Sequence, residues 1–132
     1  MATMVFVNFP VKDLAASTEF YKKLGFILNE EFSNDQASAM VWDENFYIML
    51  LRHEFYQAFI EERTIADNHA TSGALIAFSM NSAEEVKEFG RIAEENGGNV
   101  YRIDHGIAED VMFGLEVQDL DGNNLEPNWM AQ

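Results

Sequence analysis

The stretch MVFVNFPVKDLAASTEFYKKLGF, residues 4–26, decides how the whole chain is read. Residues 4–9 alternate as a strand does, with Val5, Val7 and Phe9 on one face and Phe6 and Asn8 on the other. Pro10 ends this strand or places it at a sheet edge, because proline has no amide to give a ladder. Asp13 suits the cap of a helix running to about Leu24, with Leu14, Tyr21 and Leu24 near one face. Gly25 can adopt the left-handed backbone that closes helices. Residues 26–32, 37–42 and 46–51 then read as three strands, with Asn34-Asp35 and Asp43-Glu44-Asn45 as the turns between them.

Residues 74–98, ALIAFSMNSAEEVKEFGRIAEENGG, start the same programme again. Ile76 and Phe78 take one face of a strand, and Leu75, Ala77 and Ser79 take the other. Ser82-Ala83-Glu84-Glu85 is a capping box for a helix that turns Val86, Phe89, Ile92 and Ala93 inward and stops at Gly97-Gly98. Residues 99–103, 110–117 and 124–130 read as strands, and Asp121-Gly122 is a hairpin signal before the last. Phe6 aligns with Leu75, Phe9 with Phe78 and Glu19-Phe20 with Glu88-Phe89, all at an offset of 69. The Asp43–Asn45 turn aligns with Asp121–Asn123 at an offset of 78.

The expected architecture is α+β: one domain, residues 1–132, built of two βαβββ modules. The modules are residues 1–53 and 73–132, and mixed sheets are expected to curl around a cleft. The connector, residues 54–72, carries a short helix or ordered loop in which Phe55, Phe59 and Arg63 stand four apart.

Composition narrows the function classes. A formal charge of −15 argues against nucleic acid and against an anionic membrane surface, both of which select for clustered Lys and Arg. The absence of cysteine removes disulfides, thiolate metal sites and cysteine nucleophiles. Neither an export signal nor a membrane span is read, so a cytoplasmic protein is expected. No serine–histidine–acid set, phosphate loop or dinucleotide fingerprint is present.

Val11-Lys12-Asp13-Leu14, followed by Ser17, Phe20-Tyr21 and Leu24-Gly25-Phe26, resembles the first-module signature of the vicinal oxygen chelate superfamily. Asp119-Leu120-Asp121-Gly122-Asn123, ending at Glu126, resembles its closing D-P-D-G-x-x-x-E motif with leucine in place of the proline. The superfamily includes glyoxalase I, bleomycin-resistance proteins and extradiol dioxygenases, and the resemblance spans essentially the whole chain. It implies a homodimer and a ligand cleft. It also implies four metal-ligand positions, one on the first and one on the last strand of each module.

Carried over, those positions are Phe6, Ile48, Leu75 and Glu126. The first three are apolar and cannot ligate, and a single carboxylate does not hold a catalytic metal. No cofactor is therefore expected. A small organic molecule is expected to bind in an apolar cleft, with Glu126 as the candidate acid–base group. The alternative is a glyoxalase-like lyase or extradiol dioxygenase with a displaced Zn, Ni, Fe or Mn site using Glu126 and a histidine.

Strand alternation adds Asn8, Phe46, Leu50, Ala77, Ser79, Asn124 and Asn128 to the cleft-facing set. Among the histidines, His105 is favoured over His53 and His69, because an Asp104-His105-Gly106 loop can close over a bound molecule. Phe55-Tyr56, Phe59, Met49 and Met112 are read as core, as a dimer contact or as an adaptable lid.

Overall fold

A computed structural model describes residues 2–132 and divides the chain into two compact units, one ending at Ala66 and one running from Asp67 to Gln132. The first contains β1 (Val5–Val11), α1 (Leu14–Leu24), β2 (Ile27–Leu28), β3 (Ala37–Asp43), β4 (Phe46–Arg52) and α2 (His53–Ile60). Its sheet has the order β1-β4-β3-β2, with β1 parallel to β4 and the remaining pairs antiparallel.

Local chemistry explains the boundaries. The amide of Ala16 donates to Asp13 Oδ1 at 3.1 Å, which starts α1, and Gly25 at φ 110° ends it. Pro10 lies inside β1, where its missing amide is tolerated because β1 is an edge strand. The strand expected over residues 26–32 is shorter than its composition suggests. It pairs only at Ile27 and Leu28, after which Asn29 Oδ1 accepts from the Glu31 amide and turns the chain into a single 3-10 turn at Glu30–Phe32.

The second unit contains β5 (Leu75–Ser79), α3 (Ala83–Glu95), β6 (Asn99–Tyr101), β7 (Met112–Gly114), β8 (Glu116–Gln118) and β9 (Asn124–Met130). Its sheet order is β5-β9-β8-β6, and β7 also pairs with β9. Ser82 Oγ accepts from the Glu85 amide at 3.1 Å and caps α3. The strand expected over residues 110–117 is divided at Leu115, although β7 and β8 keep one register against β9. Each unit is thus strand, helix and further strands, with the helix on one sheet face. Among the described residues no helix is long and apolar enough to cross a membrane.

One helix-side core lies in each unit. In the first, Phe9, Val11, Ile48, Leu50 and Met40 are buried with Leu14, Phe20, Tyr21 and Leu24. In the second, Val117 and Leu125 are buried with Val86, Phe89 and Ala93. Burial of such side chains contributes roughly 1.5–3 kcal/mol each and fixes which face of each sheet is left open.

The turn from β8 to β9 is the most constrained loop. Asp119 Oδ1 accepts from the amides of Asp121 and Asn123, both at 2.9 Å, and its Oδ2 accepts from Asn123 Nδ2 at 3.0 Å. Gly122, at φ +83°, leaves room for the backbone of Asn68, whose carbonyl carbon would stand 2.7 Å from any Cβ added there. Gly122→Ala is therefore expected to lower unfolding free energy by about 2–3 kcal/mol in urea titrations. Gly106→Ala, at φ +75° with nothing within 4 Å of the added carbon, should cost only about 1 kcal/mol.

Candidate functional site

In the first unit, parallel register pairs Phe6 with Tyr47, Val7 with Ile48, Asn8 with Met49 and Phe9 with Leu50. Phe6 and Asn8 therefore share a face with Tyr47 and Met49, and the Phe6 and Tyr47 rings lie 5.0 Å apart. Ile48 and Leu50 are fully buried on the opposite, helix-covered face, and Phe46 shares their parity. The expected cleft positions on this strand are thus displaced by one residue. The two hairpin turns differ in length, since Asp43 pairs with Phe46 whereas Gln118 pairs with Asn124. Aligning the turns consequently misaligns the strands: the structural counterpart of Glu126 is Met49, not Ile48.

In the second unit the expected parity holds. Leu75 pairs with Asn124, Ala77 with Glu126 and Ser79 with Asn128, so all six share the face away from α3. Leu75, Ala77 and Ser79 are exposed along edge strand β5. Asn124 is buried and serves the fold, with Nδ2 donating to Ser72 Oγ at 3.1 Å and Oδ1 accepting from Gln118 Nε2 at 3.2 Å.

Glu126, Asn128 and His105 do come together. They line an open cavity of about 560 Å³, solvent mouth included, within the second unit. Arg102, Ile103, His105 and Ile107 supply its wall from the exposed β6–β7 loop, Met112, Gly114, Leu115 and Glu116 come from β7 and β8, and Glu126, Pro127 and Asn128 come from β9. Of the residues read as a lid, Met112 is a wall of this cavity, while Phe55 and Phe59 meet edge-to-face at 5.2 Å on α2. His53 opens α2, and His69 lies in the segment against Gly122.

Glu116 is the residue that sequence reasoning missed. The antiparallel ladder that pairs Val117 with Leu125 sets Glu116 across from Glu126, and both side chains line the cavity. Partial burial pushes Glu116 up to about 7, helped by the hydrogen bond to Glu126 and by that residue's negative charge. Among the described residues neither carboxylate has an ion-pair partner. Arg102 is committed elsewhere: its guanidinium carbon lies 4.9 Å from the Phe113 ring centre, and its Nη1 is 3.6 Å from Glu109.

This donor set does not fit the divalent ion that the resemblance implies. The open face of the first unit offers Phe6, Asn8, Tyr47 and Met49. Among the described residues no three His, Asp or Glu side chains converge.

A raised carboxyl pKa makes the folded state hold more protons than the unfolded chain between the ordinary glutamate value and about 7. Stability from this group is therefore complete below about 4.5 and is lost as pH rises through about 7. Glu116→Gln should leave the melting temperature near pH 5 almost unchanged and raise it at pH 8 by about 2 °C, solvent screening included. In carboxyl-carbon NMR, Glu126→Gln should bring the Glu116 midpoint below about 7 but not to the ordinary value, because burial remains.

Residues 3–41 match the family described as bleomycin resistance protein-like N-terminal. No curated protein matches the chain in sequence. Among solved structures, a glyoxalase/bleomycin resistance protein/dioxygenase family enzyme from Burkholderia phytofirmans PsJN is similar at TM-score 0.76 and 18% identity, over 98% of this chain and 100% of that one. A hypothetical protein from S. aureus gives 0.74 and 24%, over 100% and 95%. The fosfomycin resistance protein FosX from Listeria monocytogenes gives 0.70 and 16%, over 99% and 93%. The N-terminal match covers residues 3–41, and the fold is shared with these solved structures over nearly the whole chain.

Proposed function

We propose that this protein binds a small organic molecule in the cavity of its second module, without a catalytic metal. The carrying observation is the cavity itself, which sets the apolar side chains Ile103, Ile107 and Met112 beside the carboxyl groups of Glu116 and Glu126. Apolar walls with a few convergent polar groups are the usual make-up of ligand sites. The Listeria relative was crystallised with Mn(II). The donors here, apolar or aromatic in the first module and carboxylic in the second, favour metal-free recognition instead.

The reading takes the protein as a cytoplasmic homodimer that engages neither nucleic acid nor membrane. Self-association is supported by edge strand β1, where Val5 and Phe6 are 51% and 50% exposed in the isolated chain and Met4, just before it, is 42% exposed.

Ligand-observed NMR with a panel of aromatic fragments should find binders that shift Glu126 and Met112 resonances. Met112→Trp, which fills the cavity, should weaken them at least about tenfold with the fold retained. Stoichiometric Ni, Zn, Fe or Mn in the purified protein, lost in Glu126→Gln, would sink the metal-free reading and favour a metal-dependent lyase or dioxygenase. Light scattering should give a dimer mass, reduced to a monomer by Phe6→Glu; a wild-type monomer at micromolar concentration refutes the dimer.

A further inference from the structure

Residues 102–110, RIDHGIAED, set Ile103 and Ile107 among charged and small residues, too polar a segment to bury itself. The loop is exposed throughout, yet it brings Ile103, His105 and Ile107 to the cavity. Among the described residues, no backbone hydrogen bond ties residues 102–107 to a strand. The tip is shaped locally, with the Gly106 amide donating to Asp104 Oδ1 at 2.8 Å. Nothing stands within 4 Å of a Cβ built on Gly106, so packing does not hold the loop there.

The loop is held at its base, by side chains. Glu109, near its end, lies 3.1 Å from Lys87 Nζ on α3 through Oε1 and 3.6 Å from Arg102 Nη1, at its start, through Oε2. Both cations stand over the ring of Phe113, Lys87 Nζ at 5.0 Å and the Arg102 guanidinium carbon at 4.9 Å from its centre. That ring is buried and belongs to β7, the strand into which the loop leads. One acid therefore joins the two ends of the loop and helix α3 over a single aromatic side chain. Strand parity connects this cluster to the cavity. Tyr101 pairs with Glu116 on the open face, so Arg102 turns to the α3 side while Ile103 returns to the cavity.

We propose that Glu109 is the latch of the cavity wall, a reading that rests on the binding function above. By bridging Lys87 and Arg102 it positions Ile103 and Ile107 at the cavity, and its release loosens the wall. Glu109 acts through these neighbours and is a positioning residue. Partly exposed ion pairs are individually weak, so the latch holds by bridging and yields to salt. Without the acid, two cations would share one ring with no anion between them.

The test reads backbone order parameters of residues 103–107 and the affinity of two uncharged probes, benzyl alcohol and indole. Glu109→Gln, checked for folding by circular dichroism, should lower those order parameters below about 0.6 while the strands stay near about 0.85. It should weaken the probes about threefold. Raising sodium chloride from about 20 mM to about 500 mM should loosen the wild-type wall and leave Glu109→Gln unmoved. Lys87→Met keeps the carbon stem on Phe113 and removes the charge. Alone it should loosen the wall; added to Glu109→Gln it should tighten it, because Arg102 then faces no second unpaired cation.

Unchanged order parameters in Glu109→Gln overturn the latch, as does a loosened loop with unchanged probe affinity. Losses that add in the double variant, with no change of sign, overturn the bridge and leave only ordinary packing. If neither probe binds and the aromatic fragments are also silent at Glu126 and Met112, the binding reading fails. The order parameters of the free protein then uphold or overturn the latch by themselves.

Discussion

The hairpin turn at residues 119–123 is the constraint on which the second module depends. Asp119 gathers two backbone amides and the Asn123 side chain, and Asn123 Oδ1 accepts from Asn68 Nδ2 at 2.9 Å. Gly122 lets the backbone of Asn68 approach within a distance that no side chain permits. These contacts leave β8 and β9 one register, because a slip of β8 by one residue would send Val117 to solvent and turn Glu116 toward the helix-side core. The turn thus places Glu116 against Glu126, although neither residue lies in it.

The two modules spend the same framework differently. Met49 and Glu126 are counterparts on the last strand of their modules, paired respectively with Asn8 and Ala77 on the first. In the first module the open face carries the Phe6–Tyr47 ring contact and a methionine. In the second it carries two carboxyl groups, amides and small residues. A divalent metal needs nitrogen and oxygen donors converging at one point, and this division supplies oxygen donors in one module and mainly carbon and sulfur in the other.

Much of the fold was legible because each helix announces itself twice, by periodicity and by its cap at Asp13 or Ser82. The strands were less so. Residues 26–32 are apolar enough for a strand, yet Asn29 diverts the backbone after two paired residues. Turn length sets strand parity, and because the first turn is shorter than the second, Ile48 and Leu50 fall on the helix-covered face and not on the cleft face that matching the turns implies. Glu116 was readable in principle. An antiparallel hairpin centred on Asp121 puts position 116 opposite position 126, so the Asp-Gly signal and a candidate at Glu126 already imply its partner. The cavity wall was not readable beyond His105, since the placement of Arg102, Ile103 and Ile107 depends on the path of a long irregular loop.

A protein with a net charge of −15 has reason to avoid setting two carboxyl groups together in partial burial. Above neutrality the arrangement opposes folding, since partly buried Glu116 must then lose its proton beside the charge of Glu126. A glutamine at either position would keep a hydrogen bond without that dependence. The surrounding structure nevertheless enforces the pairing through a buried turn and a continuous ladder, and leaves the pair beside exposed isoleucines instead of closing it with a basic side chain. Positions where local chemistry works against stability while the framework holds it in place are those where a bound molecule has most to gain.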